Sequence, residues 1–253
     1  MKTIVYTAIF GDKDFLKEPK NCSGQENVDY YCFTDNKSLS SECYTIKTIN
    51  PTHFDLTKNA RKLKIIGFSG IENYDVAIWH DASLRIDASK IPNLIKSLNG
   101  KDIATFKHPQ RKCFYLEAIA IIRLNKDYPL RVLYLTIIFF LKRYPVDAGL
   151  YETSILVKNL KSEKLRKFLR CWWFWVKSYS RRDQLSFDYC LKKNDLMLSY
   201  LIGSRDSNDY SEFENHQYNY YLDKRQKAFN QSPVAKKISI KLIGLMRKIK
   251  RGL

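Results

Sequence analysis

Acidic residues are scarce in this 253-residue chain: 26 Asp and Glu stand against 44 Lys and Arg, a net charge of +18. The imbalance points to a polyanionic partner, whether nucleic acid, anionic lipid or a phosphorylated substrate. Long apolar runs are missing too. The most apolar internal stretch, Val132 to Leu141, is about half of the ~20 residues a bilayer span requires, so no segment is expected to cross a membrane. Among Cys22, Cys32, Cys43, Cys113, Cys171 and Cys190 there is no CxxC pair and no metal-like spacing. Cys32 and Cys190 sit in apolar segments, where a free thiol acts as a small hydrophobe, so reduced thiols and a cytoplasmic location are expected. There is no internal repeat and no low-complexity linker. The start, MKTIVYTAIFGD, has one lysine, a short strand-like run and no small-residue cleavage site, so no leader is expected.

What is present is a chain long enough to bury a full core, as one large domain with or without an appendage. Four strands are predicted: Ile4 to Phe10, Asp29 to Thr34, Val76 to Trp79 and Ile103 to Phe106. Helical spacing runs from a Thr57 cap towards Gly70, then over Cys113 to Leu124, Leu130 to Arg143 and Arg182 to Leu191. Strands alternating with helices predict an α/β fold, its sheet mostly parallel and flanked by helices. In such sheets ligands bind beyond the carboxyl ends of the strands, where Tyr6-Thr7-Ala8, Asp35, His80-Asp81 and His108 fall.

The run VAIWHDASLRI (76 to 86) places Asp81 at one of those ends. It is either a turn residue or a ligand for a metal or a phosphate-bearing substrate. Arg61 and Lys64, three apart on the preceding helix, share a face; they either meet an anion or form a solvated basic surface. In FKHPQRKCFYLEA, Glu117 falls on an apolar stripe, which is costly unless it is paired or functional. His108 and Arg111 lie close by in sequence. In CWWFWVKSYSRRDQLSFDY, Trp172, Trp173 and Trp175 are either core or a sugar-binding face. Arg182, Asp183 and Gln184 open a helix whose N-terminus favours anions, and Asp183 is either its cap or a general base.

The ordered set YTAIFG, DYYCFTD, ARKLKI, IWHDAS, HPQRKCFYLEA, GLYE, WW and RDQLSF resembles the TOD1/MUCI70-like glycosyltransferase-like family, formerly labelled DUF616, over about residues 3 to 190. The resemblance implies a GT-A-like, Rossmann-like fold and a nucleotide-sugar donor, a UDP-sugar by expectation. It implies that Thr7, Ala8 and Asp35 line the nucleoside pocket and that Arg61 and Lys64 face the phosphates. GT-A enzymes hold Mn²⁺ or Mg²⁺ with an Asp-x-Asp motif. Asp81-Ala82-Ser83 lacks the second carboxylate, so either Asp81 is the metal ligand and Ser83 adds an oxygen, or the site binds metal weakly or not at all. Asp183 is expected as the base near the acceptor, with Glu117 and His108 as further catalytic candidates and Arg111, Trp173, Arg182 and Gln184 on the acceptor side.

The tail VAKKISIKLIGLMRKIKRGL (234 to 253) carries seven basic residues and no acidic one, with Val234, Ile238, Leu242, Leu245, Met246, Ile249 and Leu253 on one helical face. That pattern suits a helix lying on anionic lipid; packing onto the domain or an arm for nucleic acid are the other readings. A domain over residues 1–205 and an extension over 206–253 are expected. The chain is thus read as a cytoplasmic glycosyltransferase on the inner membrane face, acting on a glycan or lipid-linked acceptor in surface-polysaccharide synthesis. A nucleic-acid-binding protein and an inactive GT-A scaffold are the alternatives, the first opposed by the absence of any RRM, KH or helix-turn-helix pattern.

Overall fold

Every residue of β1 (Thr3–Ile9) is buried, because both faces of the sheet it sits in are covered. Ile4, Tyr6 and Ala8 enter one core and Val5 and Ile9 the other. The computed structural model describes residues 1–11, 14–214 and 232–252. β1 pairs in parallel with β2 (Val28–Thr34) and β4 (Val76–His80), and β2 with β3 (Thr45–Thr48). With β5 (Leu84–Ile86), β6 (Ile103–Lys107), β7 (Tyr151–Asn159) and β8 (Leu198–Tyr200) numbered in chain order, the main sheet runs β3-β2-β1-β4-β7-β6-β8. Only β7 opposes its neighbours. Its first residues therefore lie at the same edge as the carboxyl ends of β1 and β4.

α1 (Leu56–Ile66), α3 (Phe114–Arg123), α4 (Pro129–Leu141), α5 (Glu163–Ser178), α6 (Gln184–Lys193) and α7 (Pro233–Lys250) pack into one core. α2 (Ile91–Lys96) and β5 cover the other face. The mostly parallel α/β sheet is as predicted, and the four predicted strands are present within a residue or two. α1 is capped by Asp55 rather than Thr57: the Asp55 carboxylate accepts from the Thr57 N–H. β5 pairs with β9 (Ser211–Phe213), so the strand pairing extends beyond the boundary expected at residue 205. Cys22 and Cys43 form a disulfide, against the expectation of thiols only. Spacing alone carries no signature for such a pairing. Cys32 and Cys190 are free and buried as expected. Among the described residues no helix is long and apolar enough to cross a membrane.

Candidate active site

A cleft of about 520 Å³ opens where β1, β4 and the start of β7 meet, bounded by α1, the α3–α4 turn and the start of α6. Its floor is a closed set of four charges. Helical spacing puts Arg61 and Lys64 on one face of α1. Arg61 Nη1 meets Asp81 Oδ1 at 3.1 Å and its Nε lies 3.6 Å from Asp183 Oδ1; Lys64 Nζ lies 3.3 Å from Asp81 and 2.7 Å from Asp183. Trp79 Nε1 donates to the same Asp81 oxygen at 3.0 Å, and Thr153 Oγ1 to Asp183 Oδ2 at 3.0 Å. Burial pushes the Asp183 carboxyl up, but Arg61 and Lys64 outweigh it and bring it down to about 2. Burial likewise opposes ionisation of Asp81, which Lys64 and Arg61 nonetheless hold well below the ordinary carboxylate range.

The turn reading of Asp81 is realised. Its carbonyl accepts from Leu84 N–H and closes the turn, while its carboxylate faces the cleft. Asp183 occupies the N-cap position of α6, yet its side chain makes no cap bond. His80, the other ionisable residue of the strand end, is structural: buried, bonded to Tyr44 Oη at 2.9 Å and pushed down to about 4 by desolvation.

Beneath the floor, the fully buried Lys158 donates to Tyr6 Oη at 2.5 Å and to the Lys64 carbonyl at 2.9 Å. Burial, with Lys64 next, pushes its ammonium down to about 7. The unfolded chain binds that proton up to about pH 10.4 and the folded chain only up to about 7. Stability should therefore rise with pH across that window, by at most about 1.4 kcal/mol per pH unit from this group. Lys126, lowered to about 8, contributes with the same sign. Urea unfolding between pH 7 and 10 should show the rise, and Lys158→Met should flatten most of it. An equally steep rise in that variant would mean that Lys158 stays charged in the fold.

One end of the cleft is different. Arg182 and Lys126 line it, and among the described residues neither makes an ion pair. The buried Nε of Arg182 has no hydrogen-bond partner there, and its Nη2 donates only to Gln184 Oε1 at 3.2 Å. Arg205 also lines this cleft. Its backbone N–H donates to Glu152 Oε2 at 2.8 Å, and its Nε lies 4.0 Å from Glu152 Oε1. Desolvation raises the Glu152 carboxyl above its ordinary value despite that neighbour.

Of the residues proposed from sequence, Ala8, Arg61, Asp81, Ser83, Arg182, Asp183 and Gln184 line the cleft, and Lys64 reaches it from behind. The others do not. Thr7 is buried within β1, and Asp35 accepts from Gly11 N–H, which stabilises the left-handed turn there. Glu117, Arg111 and His108 form a cluster of their own: Arg111 Nε lies 2.5 Å from Glu117 and Arg111 Nη2 3.2 Å from His108. That pairing explains a carboxylate on an apolar stripe, and none of the three residues lines the cleft. Trp173 packs edge-on against His53, 5.4 Å between ring centres, while Trp172 and Trp175 are core. Sequence reasoning missed Lys126, Glu152, Thr153, Ser154 and Arg205. For Glu152 the signal was present in GLYE.

The donor set does not fit a divalent cation. Asp81 Oδ1 already takes three N–H donors, and both Asp183 oxygens face cations. Among the described residues, no group of three His, Cys, Asp or Glu side chains converges to hold an ion. An ion at Asp81 would sit against Arg61 and Lys64.

The sequence model for the TOD1/MUCI70 glycosyltransferase-like domain matches residues 1–219, nearly the whole of this fold. The chain belongs to that family. A search of curated proteins gives no match. The TOD1/MUCI70 match spans the complete main sheet, β9 and every cleft residue named above. A general glycosyltransferase role follows from it, on a mostly parallel α/β sheet consistent with a GT-A-like fold.

Proposed function

We propose that the cleft transfers a sugar from a nucleoside-diphosphate sugar, a UDP-sugar by first choice, to a hydroxyl of a growing surface glycan or lipid-linked acceptor. The observation that carries this reading is the pair Arg182 and Lys126, cations that make no ion pair among the described residues, in the same cleft as the protonation-prone Glu152. A diphosphate supplies the charge they lack, through charge-assisted hydrogen bonds. The acceptor oxygen bonds to the anomeric carbon as the carbon–oxygen bond to phosphate breaks. Its proton passes to Glu152, and the departing diphosphate keeps its negative charge against Arg182, Lys126 and Arg205. Arg61 and Lys64 hold Asp81 and Asp183 as a rigid floor beneath the sugar.

Calorimetric titration with UDP, GDP and their sugars, in EDTA and again with Mn²⁺, tests this. Binding should persist in EDTA, because the counter-charge comes from side chains. Arg182→Ala should weaken it by about 1.5–3 kcal/mol, the worth of a hydrogen bond to a charged group. Nucleotide binding that appears only with Mn²⁺ would return the diphosphate to a metal at Asp81. No binding to any nucleotide would remove the transferase reading altogether.

A further inference from the structure

α7 carries more apolar surface than its packing uses. Ser239 and Ile243 are buried against the domain, with Ile240 and Met246 partly covered. Val234, Ile238, Leu242, Leu245 and Ile249 stay exposed, at spacings of four, four, three and four. Such spacing keeps them on one flank of the helix. The helix packs back onto the domain, the alternative reading of the tail, and most of its apolar stripe remains exposed. α4 repeats the pattern. Leu130, Tyr134, Ile137 and Leu141 are exposed at spacings of four, three and four, Leu141 at 72%.

The two stripes belong to neighbouring helices. Lys236, in the first turn of α7, donates to the Arg123 carbonyl and to Asn125 Oδ1, just before α4 begins. At the other end Lys250 lies over the Phe140 ring and Arg251 pairs with Asp147, where α4 ends. α7 therefore runs parallel to α4, and the stripes lie side by side along about 20 Å, the length of α4 at 1.5 Å per residue. Neither helix contains an acidic residue. Lys237, Lys241 and Lys248 are exposed on α7, and Lys142 and Arg143 follow α4 directly.

We propose that α4 and α7 together form one docking face for an anionic lipid surface. Paired apolar stripes flanked by cations suit the boundary between headgroups and acyl chains. A second copy of the chain fits worse, since it would set lysines against lysines. Leu124, in the turn that α7 grips, is exposed and lines the cleft. Docking therefore brings the cleft rim to the lipid, within reach of a membrane-held acceptor. The proposal rests on the helices rather than on the transferase reading, and vesicle binding is measured without any nucleotide or sugar.

The full chain should sediment with vesicles of phosphatidylcholine plus phosphatidylglycerol and stay in solution with phosphatidylcholine alone. Leu130→Ser, Ile137→Ser and Leu141→Ser combined leave α7 untouched, and should lower partitioning about ten-fold or more through lost apolar burial. Lys237→Glu, Lys241→Glu and Lys248→Glu combined should do the same through charge. Circular dichroism checks the fold of each. If the α4 variant misfolds, hydrogen exchange on the unaltered chain decides instead: α4 and α7 should both gain protection on anionic vesicles. Binding that ignores α4, in either measurement, overturns the joint face. So does a dimer in sedimentation velocity that the same substitutions dissolve while vesicles are not bound.

Discussion

Glu152→Gln is expected to bind nucleotide as the unaltered chain does and to lose transfer by about 10² to 10⁴-fold, the usual contribution of a general base. Glu152 is buried at the start of β7, in the cleft. Desolvation raises its carboxyl above the ordinary value, while Arg205 opposes the shift without cancelling it. A carboxylate whose pKa is moved towards neutrality accepts a proton more readily at working pH. Asp183 has moved the other way, to about 2, and is a poor base as long as Arg61 and Lys64 hold it. Glutamine keeps the shape and can still accept from the Arg205 backbone N–H, so loss of fold is not expected. The acid limb of the pH–rate profile should report a group titrating above an ordinary glutamate and should vanish in the variant's residual activity. Unchanged turnover would remove Glu152 from the chemistry.

How far the sequence could be read depended on what each segment has to carry. β1, β2, β4 and β6 are apolar along most of their length because both faces of the sheet are covered, and such runs are visible. β7 (YETSILVKN) is just as buried but carries Glu152, Thr153 and Ser154 directly after its first residue and holds Lys158. Its polar residues serve the cleft, which masks the strand pattern; such local conflicts are expected at sites. Arg61, Lys64, Asp81 and Asp183 stood out by type and position. Their mutual pairing did not, because it joins α1, the end of β4 and the start of α6 across long stretches of chain. The cost of Glu117 on an apolar stripe was legible, and its relief came from Arg111, only six residues away. In the tail the apolar face was evident. Which part of it meets the domain depends on α3 and α4, and no residue of the tail encodes that.

Asp183→Asn should act first on stability. The Asp183 and Lys64 side chains are 2% and 1% exposed, and their contact at 2.7 Å is the shortest in the floor. Asparagine removes the charge and leaves Lys64 and Arg61 with Asp81 alone, whose side chain is 28% exposed and meets Lys64 at 3.3 Å. Breaking a buried pair from one side costs about 3–5 kcal/mol, because the partner's charge stays desolvated. Against a total stability of about 5–15 kcal/mol that is a large loss. For a chain of this size it corresponds to a Tm lower by roughly 6–20 °C. The pH dependence gives an independent reading. A carboxyl lowered to about 2 in the fold, against about 3.9 in the unfolded chain, adds stability that is complete above about pH 4 and is lost as pH falls towards 2. The variant should lack that part of the acid transition. Adding Lys64→Met should recover part of the lost stability, since the second change removes the cation that the first one stranded. Calorimetry on both variants decides the matter. A normal melting temperature together with lost transfer would return the proton-accepting role to Asp183 and take it from Glu152.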